Sequence, residues 1–237
     1  MFWTLHDFTV ETLQTHAVTN VLPVDERFSL KEGVLRRQPM VMTNIAFETE
    51  KLRKVRLTYM DAGEAAQILT TMAFPRFNTD LPIFGADVLS FRGKPHLIVI
   101  DHQPLFKEDA AYAEKYIEPM EEMYKRFAHL PSRGRDLPAW TAEFFSPYTH
   151  YSRPTLDYLP EVLDAYRAYW SSYLVRVAEA ECAEFPFPQI QNRQAAYCRN
   201  HVENEQAEGM LQKLFGEEWC EAYINEFLFD VRETAVV

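Results

Sequence analysis

The sequence is short of glycine, cysteine and positive charge, and each shortage removes a class of function. Only 7 glycines occur in 237 residues. None falls in a G-x-G-x-x-G or G-x-x-x-x-G-K-[ST] arrangement, so the common backbone cradles for dinucleotides and nucleotide phosphates are absent. The 3 cysteines, Cys182, Cys198 and Cys220, are odd in number, widely spaced and free of any C-x-x-C. They form neither a disulfide framework nor a zinc site, and predict buried or half-buried free thiols in a reducing cytosol. Against 35 acidic side chains stand 24 basic ones, a formal charge of −11; the cationic surplus that displaces phosphate counterions is missing, which argues against general nucleic-acid binding. No apolar run approaches the roughly 20 residues needed to cross a bilayer. The N-terminus lacks the basic start and small-residue cleavage site of a signal peptide, so a cytoplasmic protein without a membrane span is expected. There is no G-x-S-x-G, and no histidine pair has H-x-x-x-H or H-E-x-x-H spacing, so neither a serine nucleophile nor a metal site is supported.

What is present is apolar and aromatic: hydrophobic residues make up 47% and aromatics 14%. Such a chain buries a real core and is not disordered over most of its length. One domain over residues 1–237 fits the prior of roughly 100–200 residues per domain. Leu5 to Ala17 reads as a helix. Gly33 to Thr58 alternates with rough period two and reads as strands. Ala62 to Met72, Ala-rich and free of proline, predicts a helix. Phe74 to Pro82, holding two prolines, predicts a loop. Ala86 to Phe91 and Pro95 to Gln103 predict a hairpin around Arg92-Gly93-Lys94. Asp109 to His129 reads as a helix broken or kinked at Pro119, and Tyr148 to Arg153 as a strand. Leu156 to Ala183, Gln189 to Val202 and Glu217 to Phe229 read as helices. Strands come early and helices late without a β-α-β alternation, which favours an antiparallel sheet with helices packed on it.

Four features carry possible chemistry. In Asp87-Val88-Leu89-Ser90-Phe91, strand alternation puts Asp87, Leu89 and Phe91 on one face. An acid sharing a face with Leu and Phe sits either at a frayed strand end or in an apolar site. In the second case burial raises its pKa, as suits a proton donor. Arg193, Tyr197, His201 and Glu205 recur every fourth residue, with Asn204 beside the last; spacing alone favours a solvated helix face, with Glu205 either on it or just past the helix end. His96 and His102 share a strand face with Ile98 and Ile100. Lys51, Arg53, Lys54 and Arg56 are the densest basic cluster, read either as a solvated strand face or as a docking patch for an acidic protein.

The run Phe74-Pro75-Arg76-Phe77-Asn78-Thr79-Asp80-Leu81-Pro82-Ile83-Phe84-Gly85-Ala86-Asp87 resembles the signature of the ferredoxin-dependent bilin reductases. Phe215-Gly216-Glu217-Glu218-Trp219 and Glu226-Phe227-Leu228-Phe229-Asp230 resemble the end of that family, as do Tyr197-Cys198 with Asn204-Glu205 before Gly209, and Ser152-Arg153-Pro154. The resemblance runs from about residue 40 to residue 230. It implies an α/β/α sandwich, a central antiparallel sheet with helices on both sides. Biliverdin IXα would lie between sheet and C-terminal helices. It also implies no bound metal, flavin or nicotinamide, single electrons from reduced ferredoxin, protons from the enzyme, and a monomer.

By resemblance Asp87 is the principal proton donor, Glu205 stands where many members have a second carboxylate, Asn204 is a neighbouring polar site residue, and Arg153 holds a propionate. The pattern is nearest the phycocyanobilin-forming branch. Thr70 stands where that branch has a site histidine, however, and Thr58 where it has a glutamate tied to vinyl reduction. The resemblance therefore implies four-electron reduction to phycoerythrobilin by way of 15,16-dihydrobiliverdin. A two-electron reaction stopping at the dihydro compound and phycocyanobilin formation are the alternatives, and a non-catalytic bilin carrier is the alternative of another class. Ferredoxins are acidic too, so docking on a chain of charge −11 needs a local positive patch, for which Lys51, Arg53, Lys54 and Arg56 are the expected residues.

Overall fold

In the computed structural model, which describes residues 1–131 and 136–229, the N-terminal half is almost entirely strand. After α1 (Trp3–His16), β1 (Asn20–Leu22) and α2 (Glu26–Ser29) come β2 (Leu30–Leu35), β3 (Gln38–Glu48), β4 (Leu52–Asp61), β5 (Ala66–Pro75), β6 (Ile83–Phe91) and β7 (Lys94–Gln103). There follow α3 (Ala110–Tyr112), α4 (Glu121–Phe127), β8 (His150–Ser152), α5 (Leu159–Glu179), α6 (Phe187–Glu203), α7 (Glu208–Phe215) and α8 (Glu217–Ala222), the last continued by a π-helical turn, Tyr223–Leu228. The strands form one antiparallel sheet in the order β1-β3-β4-β5-β6-β7-β8, with β2 paired to β3. From β3 to β7 consecutive strands are neighbours, joined by short turns except for the longer loop between Pro75 and Ile83.

One sheet face packs against α1, α5 and the α3–α4 segment. α5 is amphipathic: Val162, Ala165, Tyr166, Tyr169, Trp170, Tyr173 and Val177 recur at three- and four-residue spacing and are buried. They meet Leu57, Phe84, Val88, Ile98 and Ile100. The other face carries Met42, Met72 and Phe74 against Tyr197, Cys198, Tyr223 and Phe227 of the C-terminal helices. The result is the expected three-layer α/β/α sandwich.

A polar pin joins the first of these layers. Tyr166 Oη lies 2.7 Å from both Thr9 Oγ1 on α1 and Thr71 Oγ1 on β5, with all three residues fully buried. Tyr166→Phe leaves two buried hydroxyls short of a partner, and a loss of about 1–3 kcal/mol is expected in chemical denaturation, with the fold retained.

Several local expectations change. Ala62 to Met72 is not a helix: residues 62–65 turn the chain, Asp61 Oδ1 accepting from Gly63 N at 2.8 Å, and β5 begins at Ala66. Helix propensity of the alanines yields to the β-branched Ile68, Thr70 and Thr71 and to a slot between β4 and β6. Pro75 ends that strand, so the loop is shorter than Phe74 to Pro82, and β6 starts at Ile83 instead of Ala86. The helix after Asp109 is indeed broken around Pro119, as successive α, π and 3-10 turns. Helix α7 had no counterpart in the sequence reading. Cys198 and Cys220 are buried, but Cys182 is exposed. Among the described residues no helix is long and apolar enough to cross a membrane.

Candidate active site

Strand register assembles a polar row across the sheet. Asn44, Thr58, Thr70, Asp87, Val99 and Tyr151 are direct partners in succession from β3 to β8, and opposed residues of antiparallel strands share a face. Thr70 Oγ1 donates to Asp87 Oδ1 at 2.7 Å. Asn44 Oδ1 accepts from Thr58 Oγ1 at 2.6 Å and from Tyr223 Oη at 2.8 Å, while Asn44 Nδ2 donates to Phe28 O at 2.7 Å. That network is buried and satisfied, which fixes the π-helical turn on the sheet.

This row is a boundary. On one side of it Arg56, Met72, Gly85, Asp101 and Gln103 are buried under the C-terminal helices. On the other side Ile68, Leu89, Phe91 and Leu97 are only half-buried, as are Thr70, Asp87 and Val99 in the row itself. The opposite face shows no such opening: Leu69, Thr71, Ala86, Val88, Ser90, Ile98 and Ile100 are all buried. A half-open apolar floor with a carboxyl group at its margin is a place for a large, mainly apolar ligand with a polar centre.

Burial raises the pKa of Asp87, opposed by the Thr70 hydrogen bond and the Arg56 charge. Glu205 lies just beyond the end of α6, its Oε1 accepting from Ala207 N at 2.8 Å. Burial also raises its pKa, and the negative charge of Asp87 adds to the effect. The site thus holds two carboxyl groups that keep their protons to higher pH than ordinary acids. Asn204 caps α6 and donates through Nδ2 to Asn200 O at 2.8 Å. Arg153 follows β8, is half-buried, and its Nε is buried without a hydrogen-bond partner among the described residues.

Two expectations are corrected here. The stripe on α6 is not solvated: Tyr197 and His201 are buried, stack at 4.0 Å, and Tyr197 Oη donates to Gln103 Oε1. Desolvation drops His201 to about 4, so it is neutral near pH 7. Gly85 leaves room for this arrangement, since a Cβ there would lie 2.7 Å from Gln103 Oε1 and push the Gln103 amide from its place against Tyr197. Arg193 reaches Leu105 O and Glu143 instead of the site.

Nor do Lys51, Arg53, Lys54 and Arg56 make an open docking patch. Lys54 and Arg56 are buried on the site face and donate to Phe227 O at 2.7 Å and Leu228 O at 2.9 Å. Lys51 Nζ donates to Ala178 O and Ala180 O at the end of α5, and Arg53 lies over Phe74 and donates to Gln194. Lys51, Lys54 and Arg56 thus donate to carbonyls at two helix ends, where the backbone has acceptors to spare and the dipole favours positive charge. Arg56, assigned to the surface by sequence, is instead a buried cation whose charge reaches Asp87 and Glu205, with Nη1 unpartnered among the described residues.

Other titratable groups are accounted for by packing. Asp101 is fully buried, accepts from Ser146 N, Ser146 Oγ and Thr149 Oγ1, and sits at about 6. His102, on the α5 side, contacts Tyr169 O at 2.9 Å and is dropped by burial to about 3. Among the described residues no three His, Cys, Asp or Glu side chains converge to hold a metal ion. A cleft of about 550 Å³ lies beside α1 and α5, lined by Leu13, His16, Lys51 and Arg76 among others, and Asp87 is not part of its lining.

Comparison with known proteins agrees with this architecture. The family model of the ferredoxin-dependent bilin reductases matches residues 6–230. The chain is 34% identical to the phycoerythrobilin:ferredoxin oxidoreductase of Nostoc punctiforme, over 98% of this chain and 93% of the relative. To the 15,16-dihydrobiliverdin:ferredoxin oxidoreductase of the same organism it is 33% identical, over 90% and 87% respectively. The crystal structure of tomato phytochromobilin synthase in complex with biliverdin superposes with a TM-score of 0.89 at 25% identity, covering 100% of this chain and 86% of that one. With its sheet, its half-open face and these relatives together, the chain belongs to the ferredoxin-dependent bilin reductase family.

Proposed function

We propose that this protein reduces biliverdin IXα to phycoerythrobilin by way of 15,16-dihydrobiliverdin, on the half-open sheet face, with electrons from reduced ferredoxin. The observation that carries this reading is the pair of proton-retaining carboxyl groups, Asp87 and Glu205, beside that apolar face. Each two-electron reduction consumes two protons, so saturation of the 15,16 methine bridge and reduction of the A-ring diene take four electrons and four protons in all. Ferredoxin supplies the electrons one at a time, and the protein must supply protons to a substrate shielded from water.

Asp87 is the principal donor. Its carboxyl group, oriented by Thr70 Oγ1, faces the bilin's pyrrole nitrogens and lactam, and burial lets it hold its proton to higher pH than an ordinary aspartate. Glu205 is the second donor, approaching from the helix side. Arg153 takes a propionate, whose carboxylate satisfies the guanidinium Nε left without a partner. Asn204 and Thr70 complete the polar contacts. Thr70 and Thr58, neither of them ionisable, occupy the two positions where the phycocyanobilin-forming pattern has histidine and glutamate, which favours the methine-bridge and A-ring route.

Anaerobic turnover of biliverdin with reduced ferredoxin, followed by chromatography, tests the reading. Phycoerythrobilin is the expected end product, with 15,16-dihydrobiliverdin passing through as an intermediate. In the same assay Glu205→Gln is expected to accumulate the dihydro compound. A wild-type reaction ending at 15,16-dihydrobiliverdin would establish the two-electron alternative, between which and the four-electron route the near-equal identity to relatives of both names does not choose. Biliverdin that binds but keeps its absorbance under reduced ferredoxin would identify a carrier.

A further inference from the structure

The family takes electrons from ferredoxin, yet the basic cluster expected to receive that acidic partner is turned inward. The structure offers a different surface. The β2–β3 turn carries Arg36 and Arg37 at its tip, and the β6–β7 turn carries Arg92 and Gly93, followed by Lys94. Arg36, Arg92, Phe91 and His96 line one open cleft of about 380 Å³, so the two tips face each other across it. Arg36, Arg37, Arg92 and Lys94 are all exposed. Among the described residues none of the four forms an ion pair. The adjacent acid is Glu64, whose carbonyl accepts from Gly93 N at 2.9 Å and whose carboxylate pairs with none of them.

Four exposed cations without counter-ions among the described residues are notable in a protein of net charge −11. Their backbone adds a second observation. Arg36, Arg37 and Arg92 have φ of 50°, 68° and 54°, the left-handed region that two-residue hairpin turns require and that asparagine or glycine fills with least strain. The chain places arginine at three such positions, and strain held at an exposed site points to a role for the side chain.

Position gives the role. Phe91 lies on the same strand face as Leu89 and Asp87, about 13 Å along β6 from the carboxyl-bearing residue at roughly 3.3 Å per residue. A protein seated on the two tips therefore covers the open end of the face where the bilin is reduced. We propose that the tips of the β2–β3 and β6–β7 hairpins are the docking surface for the acidic iron–sulfur electron donor. The local positive field steers that donor to the mouth of the site while the remaining negative surface repels it elsewhere. This inference rests on the reading that substrate occupies the half-open face.

The test is ferredoxin binding by the full chain, measured by calorimetry, with Arg36→Asp, Arg37→Asp, Arg92→Asp and Lys94→Glu combined. Aspartate tolerates the left-handed region, so the turns are kept. At about 0.01 M salt, where the Debye length is roughly 30 Å, affinity for ferredoxin is expected to fall on the order of tenfold or more; near 1 M, where it is roughly 3 Å, the two proteins should converge. Biliverdin affinity, read by absorbance titration, should stay at the wild-type value. A control with Lys125→Glu and Arg126→Glu, exposed on α4, makes the same kind of charge change away from the cleft and should leave ferredoxin binding near wild type. Unchanged ferredoxin affinity at low salt overturns the proposal, and so does a loss in the α4 control that is equal per charge reversed (two charges there against four in the patch), which would mark a net-charge effect. Loss of biliverdin affinity with ferredoxin binding intact would assign the patch to the bilin's own carboxylates instead. Because the readout is donor binding, failure of the proposed reaction shows separately, in the turnover assay.

Discussion

Asp87→Asn is expected to bind biliverdin with near wild-type affinity and to lose turnover by about 10²–10⁴-fold, the range a positioned general acid contributes. The substitution keeps the shape of the side chain and an oxygen for the Thr70 hydroxyl, and removes only the transferable proton. Absorbance titration measures the binding and anaerobic single-turnover kinetics the loss; product formation at the wild-type rate would remove Asp87 from the mechanism. A pH series adds a signed check. The folded pKa of Asp87 lies above its ordinary 3.8 because burial disfavours the anion. The stability it contributes is therefore fully present below that ordinary value and is lost as pH rises through the folded pKa. The Asn variant carries no such loss. Its melting temperature should equal or exceed that of the wild type at neutral pH, with the gap closing in acid. Wild-type turnover should decline as pH rises through the same window, because the donor is then ionised.

The largest effect on stability is expected from Trp170→Ala, a loss of about 3–5 kcal/mol, in line with large aromatic truncations in closed cores. Trp170 is fully buried in the middle of α5, its ring 5.0 Å from that of Phe84 on β6 and 6.0 Å from that of Tyr173. Its Nε1 donates to Thr12 Oγ1 on α1 at 2.9 Å. One side chain thus ties α1, α5 and the sheet together on the face opposite the site, and a cavity there has few ways to collapse. Denaturant unfolding measures the loss; a change under 1 kcal/mol would mean that the site relaxes around the missing ring. Trp170→Phe, which keeps most of the volume but gives up the hydrogen bond, should cost much less.

These two positions differ in how far the sequence foretold them. Asp87 was legible: strand alternation put it on a face with Leu89 and Phe91, and the observed register does the same. The β6–β7 hairpin was legible as well, because Arg92-Gly93 between two apolar runs has the chemistry of a tight turn. α5 and α6 were legible from period. The strand β5 was not, since local alanine content pointed to a helix while the decision lay in hydrogen-bonding edges offered by β4 and β6, more distant in sequence. The burial of Tyr197 and His201 was hidden for a similar reason. A polar stripe reads as solvated unless one knows that Gln103 and aromatic rings wait opposite it.

The basic cluster of β4 is the clearest case. Charge density along the chain is a local property, and Lys51, Arg53, Lys54 and Arg56 are dense by any count. Whether they meet solvent depends on residues some 170 positions later, whose carbonyls at Phe227 and Leu228 draw Lys54 and Arg56 inward.

By itself the sequence determined the antiparallel sheet with late helices, the face on which Asp87 lies and the net charge of −11, because period, turn chemistry and composition are local or additive. Only the tertiary structure decided which half of the sheet face stays open, that Glu205 comes near enough to Asp87 for its charge to be felt, and which cations remain at the surface. Those outcomes depend on desolvation and hydrogen-bond satisfaction between segments far apart in the chain, and such terms have no value until the segments meet.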